Sequence, residues 1–111
     1  MEKIIVGLIK GRHEMPVSEY IIDEINNVLD FKEVEDKIGK FIDNNFTLKY
    51  DCEWTVYANK ELVVYVTGLT YVTATLVGLC AKCNINLTLM HFNSATGEYM
   101  PQEFVFEEPH W

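Results

Sequence analysis

From Leu62 to Ala81 the chain runs twenty residues without a charged side chain, and the fold depends on how that stretch is divided. A single apolar helix of this length is long enough on paper to span a bilayer. The local residue types point elsewhere. Val63, Val64, Tyr65 and Val66 are β-branched or aromatic and favour a strand, Thr67-Gly68 interrupts the run, and the Thr-rich remainder suits a buried helix that starts anew at Thr70. Strand, break and helix in twenty residues predict a crossover unit, and no membrane partner is expected.

The other segments are assigned around this unit. Ile4 to Ile9 forms a first strand, its continuous apolar run fitting burial on both faces. Tyr20 to Ile25 is ambiguous between strand and short helix, and strand is the preferred reading. Asp30, with Glu33 three residues on, makes a capping arrangement for a helix whose apolar positions Phe31, Val34, Ile38, Phe41 and Ile42 recur at helical spacing until Asn44-Asn45. Thr47 to Tyr57 alternates apolar and polar residues as one half-buried strand, expected to pair antiparallel with Leu62 to Thr67. A helix over Thr70 to Cys83 carries a stripe of small residues, Ala74, Gly78 and Ala81, which fits packing on the sheet or on a second subunit, the sheet being preferred. Asn84 stops that helix, Leu87 to Phe92 is a further strand, and Asn93 to Glu98 turns a hairpin into Tyr99 to Phe106. At 111 residues this is one domain. The expected fold is α+β in two layers, with two helices and a mostly antiparallel sheet of about six strands.

Charge narrows the partners. The chain has 17 acids against 9 bases, a formal charge of -8, and Arg12 is its one arginine, whereas a duplex binder needs a basic surface that releases counterions. No nucleic acid duplex is expected as a partner. An acidic surface also suits a soluble interaction protein or a DNA mimic. The N-terminal run has an acid at Glu2 and no small-residue cleavage site, so it reads as a strand and a cytoplasmic location is expected. Cys52, Cys80 and Cys83 are odd in number and form no disulfide framework. The Cys80-x-x-Cys83 pair falls at the end of a predicted helix rather than at its start, and it lacks a second pair to complete a zinc site. Buried thiols are the simpler reading, and no metal or cofactor is expected.

Three segments carry polar chemistry. Thr67, Gly68 and Thr70 lie where a strand feeds a helix, a place where backbone amides can meet an anion, although a tight turn with an ordinary cap by Thr70 explains the same residues. Lys10, Arg12 and His13 concentrate basic groups in the loop after the first strand, where Arg12 can pair with a phosphate or carboxylate, although a solvated loop explains the same residues equally well. His91 and Asn93 share one face of their strand while Phe92 points the other way; with Tyr99 and Gln102 they form the mouth of the hairpin, where an aromatic ring can stack on a base. A hydrogen-bonded structural histidine is an equal reading. His13 and His91 with nearby acids could also serve a phosphodiesterase, but no nucleophile or metal motif accompanies them.

Residues 5 to 17 (IVGLIKGRHEMPV), 66 to 70 (VTGLT) and 87 to 102 (LTLMHFNSATGEYMPQ) together resemble a family of small phage and prophage proteins, the anti-Thoeris sponges. The resemblance covers most of the chain, though its motifs carry no mechanism-specific signature. It implies a protein without catalysis that forms a dimer or larger homo-oligomer. Such a protein buries a cyclic ADP-ribose isomer, or in some members a cyclic oligonucleotide, in pockets at subunit interfaces, and so starves an immune effector. The counterparts of its ligand contacts would be the polar and aromatic residues named above, particularly Arg12, Phe92 and Asn93. The tail ending in His110-Trp111 departs from an arginine-rich end, which puts a C-terminal contact in doubt.

Overall fold

The computed structural model describes residues 2–11, 14–27, 29–50 and 56–106. Within them the order is β1 (Lys3–Ile9), β2 (Tyr20–Ile22), α1 (Phe31–Asn45), β3 (Leu48–Tyr50), β4 (Val56–Ala58), β5 (Glu61–Tyr65), α2 (Thr70–Lys82), β6 (Leu87–Asn93) and β7 (Glu98–Phe104). The class is α+β, and the uncharged stretch divides into β5 and α2 as its residue types require. No helix among the described residues is long and apolar enough to cross a membrane.

Strand direction differs from expectation. The main sheet has five strands in the order β2-β1-β5-β6-β7. β1 runs parallel to β2 and β5, and β5 runs parallel to β6; only β6 and β7 pair antiparallel. The reason lies in the connection, because α2 carries the chain back between β5 and β6, and parallel neighbours need such a crossover. β3 and β4 form a separate antiparallel pair, Leu48 opposite Ala58 and Tyr50 opposite Val56. The single strand expected over Thr47 to Tyr57 is therefore two short ones. They pair with each other and not with β5, and Thr47 N donates to Asn59 Oδ1 at 2.9 Å where the pair closes.

Register sorts the sheet into two faces. Val6, Val64 and Leu89 lie level, as do Ile4, Leu62 and Leu87, and their side chains point to one side with Leu8 and Val66. On that side α1 contributes Val34, Ile38 and Ile42, and α2 contributes Val72, Leu76 and Cys80, in one continuous core. Both helices thus cover one face. Among the described residues no helix covers the other face, and Ile5 is 56% exposed where burial on both faces was expected.

Caps and stops follow local chemistry. Asp30 Oδ1 accepts the Glu33 amide at 3.1 Å, as the sequence predicts for α1, while Glu33 Oε1 accepts the Asn26 amide at 2.9 Å. Beyond α2, Asn84 has φ of 51°, the left-handed conformation asparagine tolerates after a helix. One cap differs: Leu69 and not Thr70 occupies the N-cap of α2, and no side chain caps that end.

The small-residue stripe is also reoriented. Ala74, Gly78 and Ala81 are exposed, and a Cβ added at Gly78 would meet nothing within 4 Å. Larger apolar side chains were available one or two positions away, and burying Val72, Leu76 and Cys80 removes more apolar surface from water than burying the stripe would.

Candidate functional site

The register of β5 and β6 brings together two segments that are far apart in sequence. Tyr65 lies beside Met90, and Val66 N donates to Met90 O at 3.2 Å. The residues just beyond, Thr67 to Thr70 on one strand end and His91 on the other, therefore meet at the carboxyl ends of parallel strands. The carboxyl ends of parallel strands are also the end at which open α/β sheets with helices on both faces bind their ligands, although here both helices lie on one face.

A groove of about 360 Å³ occupies this position on the helical side of the sheet. Its polar rim holds Thr67, Gly68, Thr70, Thr73, His91 and Gln102, and its apolar walls come from Val66, Ala74, Val77, Leu89 and Phe104. This is the lower end of the size range of small-molecule sites. In a chain of charge -8, the residues lining it include no Asp, Glu, Lys or Arg.

Four of the polar side chains, Thr67, Thr73, His91 and Gln102, are engaged in hydrogen bonds. His91 and Gln102 meet at 2.8 Å between Nε2 and Oε1. With the amide oxygen accepting, Nε2 carries the proton and Nδ1 keeps a free lone pair. Thr73 Oγ1 donates to Leu69 O at 3.3 Å, so it has only acceptor capacity left for a ligand. Thr67 Oγ1 accepts the Leu69 amide at 3.5 Å. The first turn of α2 then begins beside the groove without a side-chain cap, and first-turn amides have no intrahelical acceptor. Gly68 has neither a positive φ nor a close neighbour that demands glycine.

The remaining candidates lie elsewhere. Phe92 and Tyr99 are register partners on the open face of the sheet, their rings 5.3 Å apart, and Tyr99 also meets Tyr65 edge-on at 4.7 Å. Asn93 is engaged in the hairpin turn, its Oδ1 accepting the Ala95 amide at 3.0 Å. Lys10 is exposed just after β1, and its amide donates to Ile22 O at 3.0 Å. The pairing of Gly7 with Tyr65 puts Lys10 at the same edge of the sheet as Thr67, although it does not line the groove. Arg12 and His13 lie outside the described residues.

Thr73, Ala74 and Val77 belong to the groove without having been singled out as ligand contacts. Their signal is helical spacing: with Thr70 they form one side of α2, next to the buried stripe of Val72, Leu76 and Cys80. The cysteines behave as structural thiols. Burial, with a smaller contribution from Cys83, pushes the Cys80 thiol up to about 12. Burial and then the charge of Asp43 raise that of Cys83. A reactive thiolate needs the opposite shift. Cys52 lies outside the described residues, among which no cluster of His, Cys, Asp and Glu is arranged to hold a metal ion.

No protein-family model, curated protein or solved structure matches the chain.

Proposed function

We propose that this protein binds and sequesters a small cyclic nucleotide, of the class of the cyclic ADP-ribose isomers or cyclic oligonucleotides, without catalysis. In this reading it is a phage-encoded sponge that suppresses anti-phage defence in the bacterial cytoplasm, and it works as a homodimer or larger homo-oligomer. The observation that carries the proposal is the convergence of Thr67, Gly68, Thr70, His91 and Gln102, drawn from two distant segments, on one groove.

The groove's chemistry suits a nucleotide. Val77 and Phe104 offer an apolar surface to a base, and His91 Nδ1 can accept from an exocyclic amine. Phosphate oxygens would find donors in the hydroxyl of Thr70 and in the first-turn amides of α2. The same residues that resemble the sponge family supply part of this lining. The groove is built within one chain, so the proposal is one ligand site per copy.

Capture followed by release tests it. The protein is incubated with cyclic ADP-ribose or a cyclic dinucleotide, freed of unbound ligand and denatured, and the released material is analysed. Intact ligand supports sequestration. Altered ligand would make the protein a phosphodiesterase, and absence of captured ligand would leave an acidic interaction protein.

A further inference from the structure

We infer that the uncovered face of the main sheet receives a second copy of this chain, packed face to face. The inference specifies the surface for the homo-oligomer proposed above and does not depend on what the groove binds. By register and alternation, Ile5 of β1, Val63 and Tyr65 of β5, Met90 and Phe92 of β6 and Tyr99 of β7 point away from both helices. Ile5 and Phe92 are each 56% exposed, and the others are half-buried. Aromatic residues and Met are the types enriched at the centre of protein interfaces.

Charge selects the occupant. The charged residues of the described strands that point to this face are Lys3, Glu61 and Glu103, gathered around one end of it. Lys3 and Glu61 sit side by side across β1 and β5. A nucleic acid would need several cations where only Lys3 is present. An anionic membrane surface would repel a chain of charge -8, and a basic partner would find no acid among the apolar residues. What fits a flat, apolar, nearly neutral surface is another of the same kind, and the molecule presents one. Two copies related by a two-fold axis would stack their sheets about 10 Å apart.

The apolar patch would form the centre of the contact and not its whole. Strands about 4.8 Å apart make the patch roughly 15 Å wide across β1, β5, β6 and β7, and four to six residues give it roughly 20 Å of length. The resulting roughly 300 Å² in projection already reaches the size of the largest apolar patches on monomers. Side-chain relief and the charged rim extend the contact toward the roughly 800 Å² per partner of a standard interface.

Light scattering at micromolar concentration is the test, on the wild type, on Ile5→Asp and Phe92→Asp, and on Ala81→Arg at the outer side of α2. The expected result is twice the 12.9 kDa chain mass for wild type and Ala81→Arg, with monomers for the two open-face variants and wild-type helical circular dichroism throughout. Dimers that persist in both open-face variants, or that vanish only in Ala81→Arg, would overturn the face assignment while leaving the oligomer itself intact. A monomeric wild type would overturn both, and a cyclic nucleotide titration would still report on the groove. Hydroxyl-radical footprinting gives a second readout. Protection of Met90, Phe92 and Tyr99 in the wild type that is lost in Ile5→Asp supports the stack, and reactivity of these three in the wild type equal to that in Ile5→Asp overturns it.

Discussion

His91 Nε2 and Gln102 Oε1 meet at 2.8 Å across the β6–β7 pair, and Gln102 thereby holds the imidazole ring by Nε2. Gln102→Ala frees the imidazole to rotate and exchange tautomers. It should weaken cyclic nucleotide binding by about 0.5–1.5 kcal/mol, the net worth of one hydrogen bond. His91→Ala should cost at least as much. Both residues are exposed, so thermal melts should stay near wild type while calorimetric titrations shift. Unchanged affinity in both variants would remove the pair from the site.

The two sides of α2 should respond oppositely to substitution. Leu76 is fully buried beneath the helix, and Leu76→Ala should lower stability by about 2–5 kcal/mol. Ala81 is exposed, and Ala81→Lys should stay within about 0.5 kcal/mol of wild type. Urea unfolding of the two variants measures both. A large loss for Ala81→Lys would place the small-residue stripe against protein instead.

Periodicity made α1, its Asp30 cap, the Asn84 stop and the β6–β7 hairpin legible, because each depends on residues within one or two turns of chain. Strand direction was not legible. Val63 to Val66 reads as a buried strand whether its neighbours run parallel or antiparallel, and only the crossover through α2 decides between them. The stripe in α2 misled because small residues permit close packing without requiring it, and Val72, Leu76 and Cys80 outcompete them for the core. For the site, Thr67-Gly68 and His91 were each visible as polar residues at strand ends. Their meeting depends on the Tyr65–Met90 register, a long-range pairing that no local pattern encodes.

Alkaline pH should expose the buried thiol. The folded protein holds Cys80 at about 12 against an ordinary value of 9.0, because burial disfavours the thiolate. A pKa raised by folding means the native state holds its proton more tightly. The associated stability is complete below pH 9 and is lost as pH climbs from about 9 toward 12. Cys80→Val, close in volume and without an ionisable group, should flatten that part of the curve relative to wild type. Iodoacetamide at pH 8 should spare Cys80 in the native protein and label it in denaturant. Rapid native labelling would contradict its burial.

Gly7 owes its identity to Tyr20 and Met15. A Cβ at Gly7 would stand 2.5 Å from Tyr20 Cε1, 2.6 Å from Cδ1 and 3.1 Å from Met15 Sδ, so the ring packs directly over the strand backbone. Gly7→Ala must displace that ring and should destabilise the protein by about 1–3 kcal/mol. Shortening the ring to make room, in Gly7→Ala with Tyr20→Leu, should recover part of the loss. Denaturation midpoints of the single and double variants check the coupling. A neutral Gly7→Ala would show that the ring moves aside freely.

Phe92→Ala and Asn93→Ala distinguish the groove from the hairpin mouth. Asn93 spends its side-chain oxygen on the Ala95 amide, and its carbonyl accepts the Gly97 amide at 2.8 Å. Asn93→Ala should therefore loosen the turn by about 0.5–1.5 kcal/mol and leave ligand affinity unchanged. Phe92 lies on the open face, 56% exposed and in contact with the Tyr99 ring. Phe92→Ala should cost about 0.5–1.5 kcal/mol from that ring contact, well below the 3–5 kcal/mol of a core phenylalanine. Its effect should fall on self-association, because the groove opens on the opposite face of the sheet from the ring. Titration with a cyclic nucleotide and light scattering on the same two samples separate these outcomes. If Phe92→Ala weakened the nucleotide and left the mass unchanged, the ring would belong to the ligand site, and the open face would lose its assigned partner.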